Sequence, residues 1–81
     1  MVRTIDNRIL GLNIAYYRKL RRLTQAELAD KIHISLHYMS RIECGNVSKC
    51  VSLPVLNSIA GELGVSIDAL LARSDGMKFM K

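Results

Sequence analysis

Leu23-Thr24-Gln25-Ala26-Glu27-Leu28-Ala29, followed by Ser35-Leu36-His37-Tyr38-Met39-Ser40-Arg41-Ile42-Glu43-Cys44-Gly45, is the stretch that decides the fold. Thr24 with Glu27 three residues on is a capping box, in which a hydroxyl and a carboxylate satisfy unpaired N–H groups at a helix start. Leu23 and Leu28 hold the two positions of a hydrophobic staple around it. A short helix follows over about Gln25 to Ile32, with Leu28, Ala29 and Ile32 turned inward. Ser35 caps a second helix that runs to about Glu43. Cys44-Gly45-Asn46 stops it, because Gly45 is free to take a positive φ. Only three or four residues separate these two helices. That is too few for antiparallel packing, so they must cross steeply.

Outward from this pair the periodicity stays helical, and no apolar/polar alternation bounded by turn residues marks a pair of strands. A first helix spans about Asp6 to Arg22, with Leu10, Ile14 and Tyr17 on one face and the cations Arg18, Lys19, Arg21 and Arg22 in or near its last turn, where they suit the helix dipole. Residues 45–51 form a loop. Ser52 caps a fourth helix whose first turn tolerates Pro54. Leu53, Leu56, Ile59, Ala60 and Leu63 supply its buried face, and Gly64 ends it. Ser66 caps a short fifth helix, Ile67 to about Ala72. The expected organisation is one all-α, five-helix domain over residues 1–72 with a tail over 73–81.

Composition narrows the function. The chain has 81 residues, with twelve Lys+Arg against seven Asp+Glu, a net charge of +5 and 49% hydrophobic residues. That is one domain with enough apolar content for a small core, and short for a self-contained catalytic pocket. No apolar run approaches the roughly 18 residues of a membrane span. Met1-Val2-Arg3-Thr4-Ile5-Asp6 lacks the apolar segment of a secretion signal. A cytoplasmic protein is therefore the default expectation. The excess of positive charge favours a polyanion partner, above all nucleic acid.

Two short helices crossing steeply are the geometry of a DNA-reading helix-turn-helix, in which the second helix enters the major groove. The residues that build it resemble the lambda-repressor-like, Cro/repressor-type helix-turn-helix family. The likeness rests on Leu23 to Ala29, on Ser35 through Gly45 with Met39, Ile42 and Glu43 in place, on Ser52-Leu53, and on Ile59 through Leu71. It covers about residues 9–72. The resemblance implies five helices around one core, sequence-specific binding to a double-stranded DNA operator, and a homodimer on a pseudo-palindromic site. At the turn, where the family commonly has glycine, this chain has His33, which implies a left-handed backbone cost that His tolerates better than most residues.

At about 100° per residue, Met39 and Ile42 point inward, and His37, Ser40, Arg41 and Cys44 fall on the opposite side. Leu36 lies at the leading tip. Arg41 can donate two parallel hydrogen bonds to guanine O6 and N7. His37 can donate to the same acceptors or to phosphate. Leu36 can pack on a thymine methyl, although a leucine at a core edge is more often core. Leu36, His37, Ser40 and Arg41 are thus the expected base contacts. Tyr38 flanks them with a hydroxyl suited to phosphate. In the family it resembles, the Gln opening the second helix grips a phosphate, which implies that role for Gln25. The loop after the reading helix also meets the backbone there, which implies phosphate contacts for Asn46, Ser48 and Lys49; a solvated loop charge is the plainer reading of Lys49. The resemblance further implies an ion pair between Arg18 and Glu43 that orients the reading helix.

Other constellations carry less. Cys44 and Cys50 are six apart with His33 and His37 upstream, the wrong spacing for convergent zinc ligands. No metal and no cofactor is expected, and two reduced thiols are preferred over a redox pair. Gly61-Glu62-Leu63-Gly64 belongs to a helix and its stop, not to a phosphate loop. No nucleophile has a base and an orienter, so no enzyme and no small-molecule substrate are expected. Ile5, Ile9, Leu12, Tyr16 and Leu20 form a second apolar stripe on the first helix, to be met by Met77, Phe79 and Met80 of the C-terminal segment, in cis or from a partner chain, or by a dimer contact. The expected function is a transcriptional repressor. A helix-turn-helix adaptor that binds a protein partner is the alternative from another class.

Overall fold

Each helix starts where an oxygen-bearing side chain stands ready to accept from its first unpaired N–H groups. The computed structural model describes residues 6–47 and 51–72. Five helices follow one another: α1 (Asn7–Leu20), α2 (Gln25–Lys31), α3 (Leu36–Cys44), α4 (Leu53–Leu63) and α5 (Ile67–Leu71). Asp6 caps α1, its Oδ1 accepting from the Arg8 and Ile9 amides at 2.9 and 3.4 Å. The expected capping box is complete: Oγ1 of Thr24 accepts from the Glu27 amide at 3.0 Å and Oε1 of Glu27 accepts from the Thr24 amide at 2.8 Å. Ser35 and Ser66 accept from the Tyr38 and Ala69 amides. Ser52 stands at the cap position of α4, but its side chain makes no capping bond.

Four helices end alike, with a left-handed residue whose flanking amides fold back on the last turn. Leu23 N donates to Arg18 O, Ile34 N to Ala29 O, Asn46 N to Arg41 O and Val65 N to Ala60 O, all at 2.9–3.1 Å. The left-handed residues are Arg22, His33, Gly45 and Gly64, with φ of 58°, 61°, 73° and 69°. Two glycines meet this demand without a Cβ penalty. Arg22 and His33 carry it, each at roughly 1–2 kcal/mol. The first helix therefore stops two residues before the expected Arg22, because Arg22 turns the chain instead of extending α1.

The core is one cluster drawn from all five helices and from Val51: Leu10 and Ile14 of α1, Leu28 and Ala29 of α2, Met39 and Ile42 of α3, Leu56, Ile59, Ala60 and Leu63 of α4, and Leu70 of α5. Val51, expected in the loop, is buried and anchors the approach to α4. Leu53, expected in the core, is 62% exposed. It occupies the first turn of α4, before the helix has closed on the cluster, and Val55 packs there instead.

The four cations at the end of α1 have separate fates. Arg18 is buried. Arg21 donates from Nε to the Leu63 carbonyl at 2.8 Å, capping the end of α4. Arg22 makes the turn. Lys19 stays exposed, as expected of a solvated charge. Asn13, inward on α1, donates from Nδ2 to the carbonyls of Leu70 (2.6 Å) and Ala72 (3.0 Å), which α5 itself leaves unpaired. Among the described residues no helix is long and apolar enough to cross a membrane.

Candidate nucleic-acid interface

α3 is held from beneath by two buried side chains, Met39 and Ile42, three residues apart and so on one side of the helix. Among the described residues no element covers the opposite side. His37, Arg41 and Cys44 are exposed and Ser40 is half-buried. Leu36 is 50% exposed at the tip, so it belongs to the outer face and not to the core.

The mount of α3 is close. A Cβ built on Gly11 of α1 would stand 2.6 Å from the Ile42 carbonyl oxygen, 2.8 Å from the Glu43 carbonyl carbon, and against the Glu43 carbonyl oxygen. The absence of that one atom lets the two backbones approach, and it fixes how far α3 stands from the platform. Beside this crossing Arg18 and Glu43 make two parallel hydrogen bonds, Nε to Oε2 at 2.7 Å and Nη2 to Oε1 at 3.0 Å. The Arg18 Nη1 donates to the Leu23 carbonyl at 2.8 Å, in the link between α1 and α2. One guanidinium thus ties α1, α3 and that link together. The pair expected from the resemblance is present, and its side chains are only 10% and 5% exposed.

Gln25 joins the same carboxylate: its Nε2 donates to Oε1 of Glu43 at 3.0 Å. An amide nitrogen has two donors, so the bond to Glu43 orients the side chain at the head of α2 and leaves a second N–H. Arg41 donates from Nε to the Asn46 carbonyl at 3.1 Å. Its two Nη groups make no bond among the described residues. Asn46 is exposed beside it, just past the left-handed Gly45. Tyr38 is half-buried with its ring against the core. Ser48, Lys49 and Cys50 lie outside the described residues, so the expected loop contacts and the thiol pair have no structural description. Cys44 is an exposed free thiol. Among the described residues no three His, Cys, Asp or Glu side chains converge as metal ligands do.

Leu36, His37, Ser40, Arg41, Gln25 and Asn46 therefore lie along α3, at the head of α2 and just past the end of α3. The sequence reading missed Gly11, Asn13, the bond from Arg21 to Leu63 and the Gln25–Glu43 bond. A lone glycine in mid-helix costs about 1 kcal/mol in propensity, and that cost was a legible signal of a close crossing. The bond between Gln25 and Glu43 had no signal, since it joins residues brought together only by the fold.

Two short helices at a tight left-handed turn, the second with its outer face left uncovered by the described residues, define a helix-turn-helix domain. The chain belongs to the helix-turn-helix family, whose profile matches residues 14–70. It is 35% identical over 69 residues to the immunity repressor protein of Bacillus phage phi105; the match takes in 85% of this chain and 46% of that protein's length. Among solved structures it is similar to the clp gene regulator ClgR of Corynebacterium glutamicum (28% identity, TM-score 0.79, 95% of this chain and 80% of that one). It shares its fold with a hypothetical transcription factor from Neisseria (22% identity, TM-score 0.79, 94% and 85% of the two chains).

Proposed function

We propose that this chain is a sequence-specific DNA-binding transcriptional repressor that reads an operator through the major groove with α3 and acts as a homodimer on half-sites about 34 Å apart. The observation that carries the reading is the mounting of α3: a helix clamped by Met39, Ile42 and the Arg18–Glu43 pair, with Leu36, His37 and Arg41 exposed and Ser40 half-buried along its outer side. Arg41 reads guanine with its two Nη groups, which make no bond among the described residues. His37 and Ser40 donate to or accept from neighbouring base edges, and Leu36 packs against a thymine methyl. Gln25, Tyr38, Asn46, Ser48 and Lys49 meet phosphates and set the register. The net charge of +5 supports an electrostatic contribution. The likeness to a phage immunity repressor supports repression, although the chain spans less than half of that protein. With no enzymatic step required, occupancy of the operator is itself the output.

Selection of bound duplexes from a random pool, followed by titration of the consensus at several salt concentrations, tests this. A palindromic consensus is expected, with affinity that falls steeply as salt rises. Arg41→Ala is expected to relax preference at one base pair, a loss of about 1–3 kcal/mol of discrimination. Binding without sequence preference, or none at all, refutes the reading.

A further inference from the structure

Leu12, Tyr16 and Leu20 stay exposed along one side of α1, and Met77, Phe79 and Met80, expected to meet them, lie outside the described residues. One turn before Leu12, Arg8 has a neighbour from another helix. A Cβ built on Gly45 would stand 3.0 Å from the Arg8 Cα, 3.1 Å from its Cγ and 3.2 Å from its amide nitrogen. Arg8 therefore lies on the bare backbone of the residue that stops α3. It continues the crossing of α1 over α3: Gly11 passes Ile42 and Glu43, and Arg8, three residues earlier and about 60° round the helix, passes Gly45. Arg41 reaches the same corner from α3, through its bond to the Asn46 carbonyl. Two arginines thus meet at Gly45 and Asn46.

The fold does not use the charge of Arg8. The residue is exposed. Among the described residues its guanidinium makes no bond. The carboxylate beside it in sequence, that of Asp6, is turned to the helix, its Oδ1 accepting from the Arg8 and Ile9 amides. We propose that Arg8 is a phosphate anchor, its guanidinium gripping the DNA backbone beside the end of α3; this rests on α3 being the helix that enters the major groove. Width is the physical reason. A helix with its side chains is about 10–12 Å across, and the major groove is about 12 Å wide. α3 fills the groove, so a side chain standing beside its end, on the helix packed behind it, meets the groove wall. That wall is phosphate, which a guanidinium binds through two parallel N–H groups. Such a contact fixes where α3 lies and carries no base preference itself. A cation here also suits the dipole at the end of α3, a structural role that would show in stability and not in salt dependence.

Titration of the duplex selected by the native full chain, across a range of salt concentrations, tests the anchor. For each bound chain, Arg8→Gln is expected to weaken binding roughly five- to tenfold near 0.1 M salt and to lower the slope of log K against log salt by about 0.9. The selected consensus and the Tm are expected to stay as they are. Arg8→Lys is expected to keep the slope, because its charge still releases a counterion. Ethylation of one phosphate in each half-site is expected to impair the native chain and to make no difference to Arg8→Gln. An unchanged slope in Arg8→Gln, with the native chain still selective, overturns the proposal and leaves the reading of α3 standing. An altered consensus overturns it in favour of a base contact, and weaker binding with a lowered Tm in favour of a structural role. A native chain that selects no duplex removes both the anchor and the reading of α3.

Discussion

Arg18 and Glu43, 25 residues apart, meet in a two-point fork of 2.7 and 3.0 Å with both side chains almost out of solvent. A buried pair of this kind contributes little over two well-packed apolar residues, but losing one partner strands the other's charge. Here the stranded charge sits at the end of α3. Arg18→Met is expected to cost about 3–5 kcal/mol. Adding Glu43→Leu is expected to recover part of that loss. Urea titration of the two variants checks both statements, and a larger loss in the double variant contradicts them.

Gly11 sets the spacing between α1 and α3. Gly11→Ala improves helix propensity by about 1 kcal/mol. It also drives a methyl into the Ile42 and Glu43 carbonyls, backbone atoms that cannot rotate away. The clash wins, with a net loss of roughly 3 kcal/mol, at the upper end for overpacking. Because α3 must shift, the affinity for the selected duplex is expected to fall as well. Denaturant melts and a binding isotherm on the same sample separate the two effects.

His33 and Arg22 take left-handed backbone at positions where a glycine would be relaxed. Each is exposed, so the side chains contribute little packing. His33→Gly and Arg22→Gly are each expected to stabilise the fold by about 1 kcal/mol, the steric cost removed. The gains should add, since the two turns make no bond to each other. Calorimetry of the single and double variants tests this.

The carboxylate of Glu27 is held below its ordinary range, first by the hydrogen bond from the Thr24 backbone and then by that from the Thr24 side chain. Its folded value lies under its unfolded one, so its contribution is full above the unfolded value and fades as pH falls through the folded value. The stability difference between the native chain and Glu27→Gln is therefore expected at neutral pH and to shrink as the solution is acidified below about pH 4.3. Paired denaturant titrations across that range measure it. A difference that grows on acidification contradicts the capping role.

Local signals made most of the fold legible. Thr24 with Glu27, Ser35, Ser66 and the glycines at 45 and 64 mark helix ends through bonds that span only a few residues. The inward sets Leu10/Ile14, Met39/Ile42 and Ile59/Leu63 follow from helical spacing. Leu53 was misread because periodicity gives the direction of a side chain, while burial depends on whether another element lies over it. The outer face of α3 was legible by the same angle arithmetic, as the complement of Met39 and Ile42.

What this sequence determined by itself was the set of helices, their caps and stops, and which face of each is apolar, because those depend on interactions a few residues long. The tertiary structure alone decided the rest. It brought Gly11 against α3, divided one run of arginines between a buried fork and a cap on Leu63, seated Asn13 on the end of α5, and turned Gln25 toward Glu43. Each of these joins groups far apart in the chain, and such bonds acquire partners only when the helices have packed.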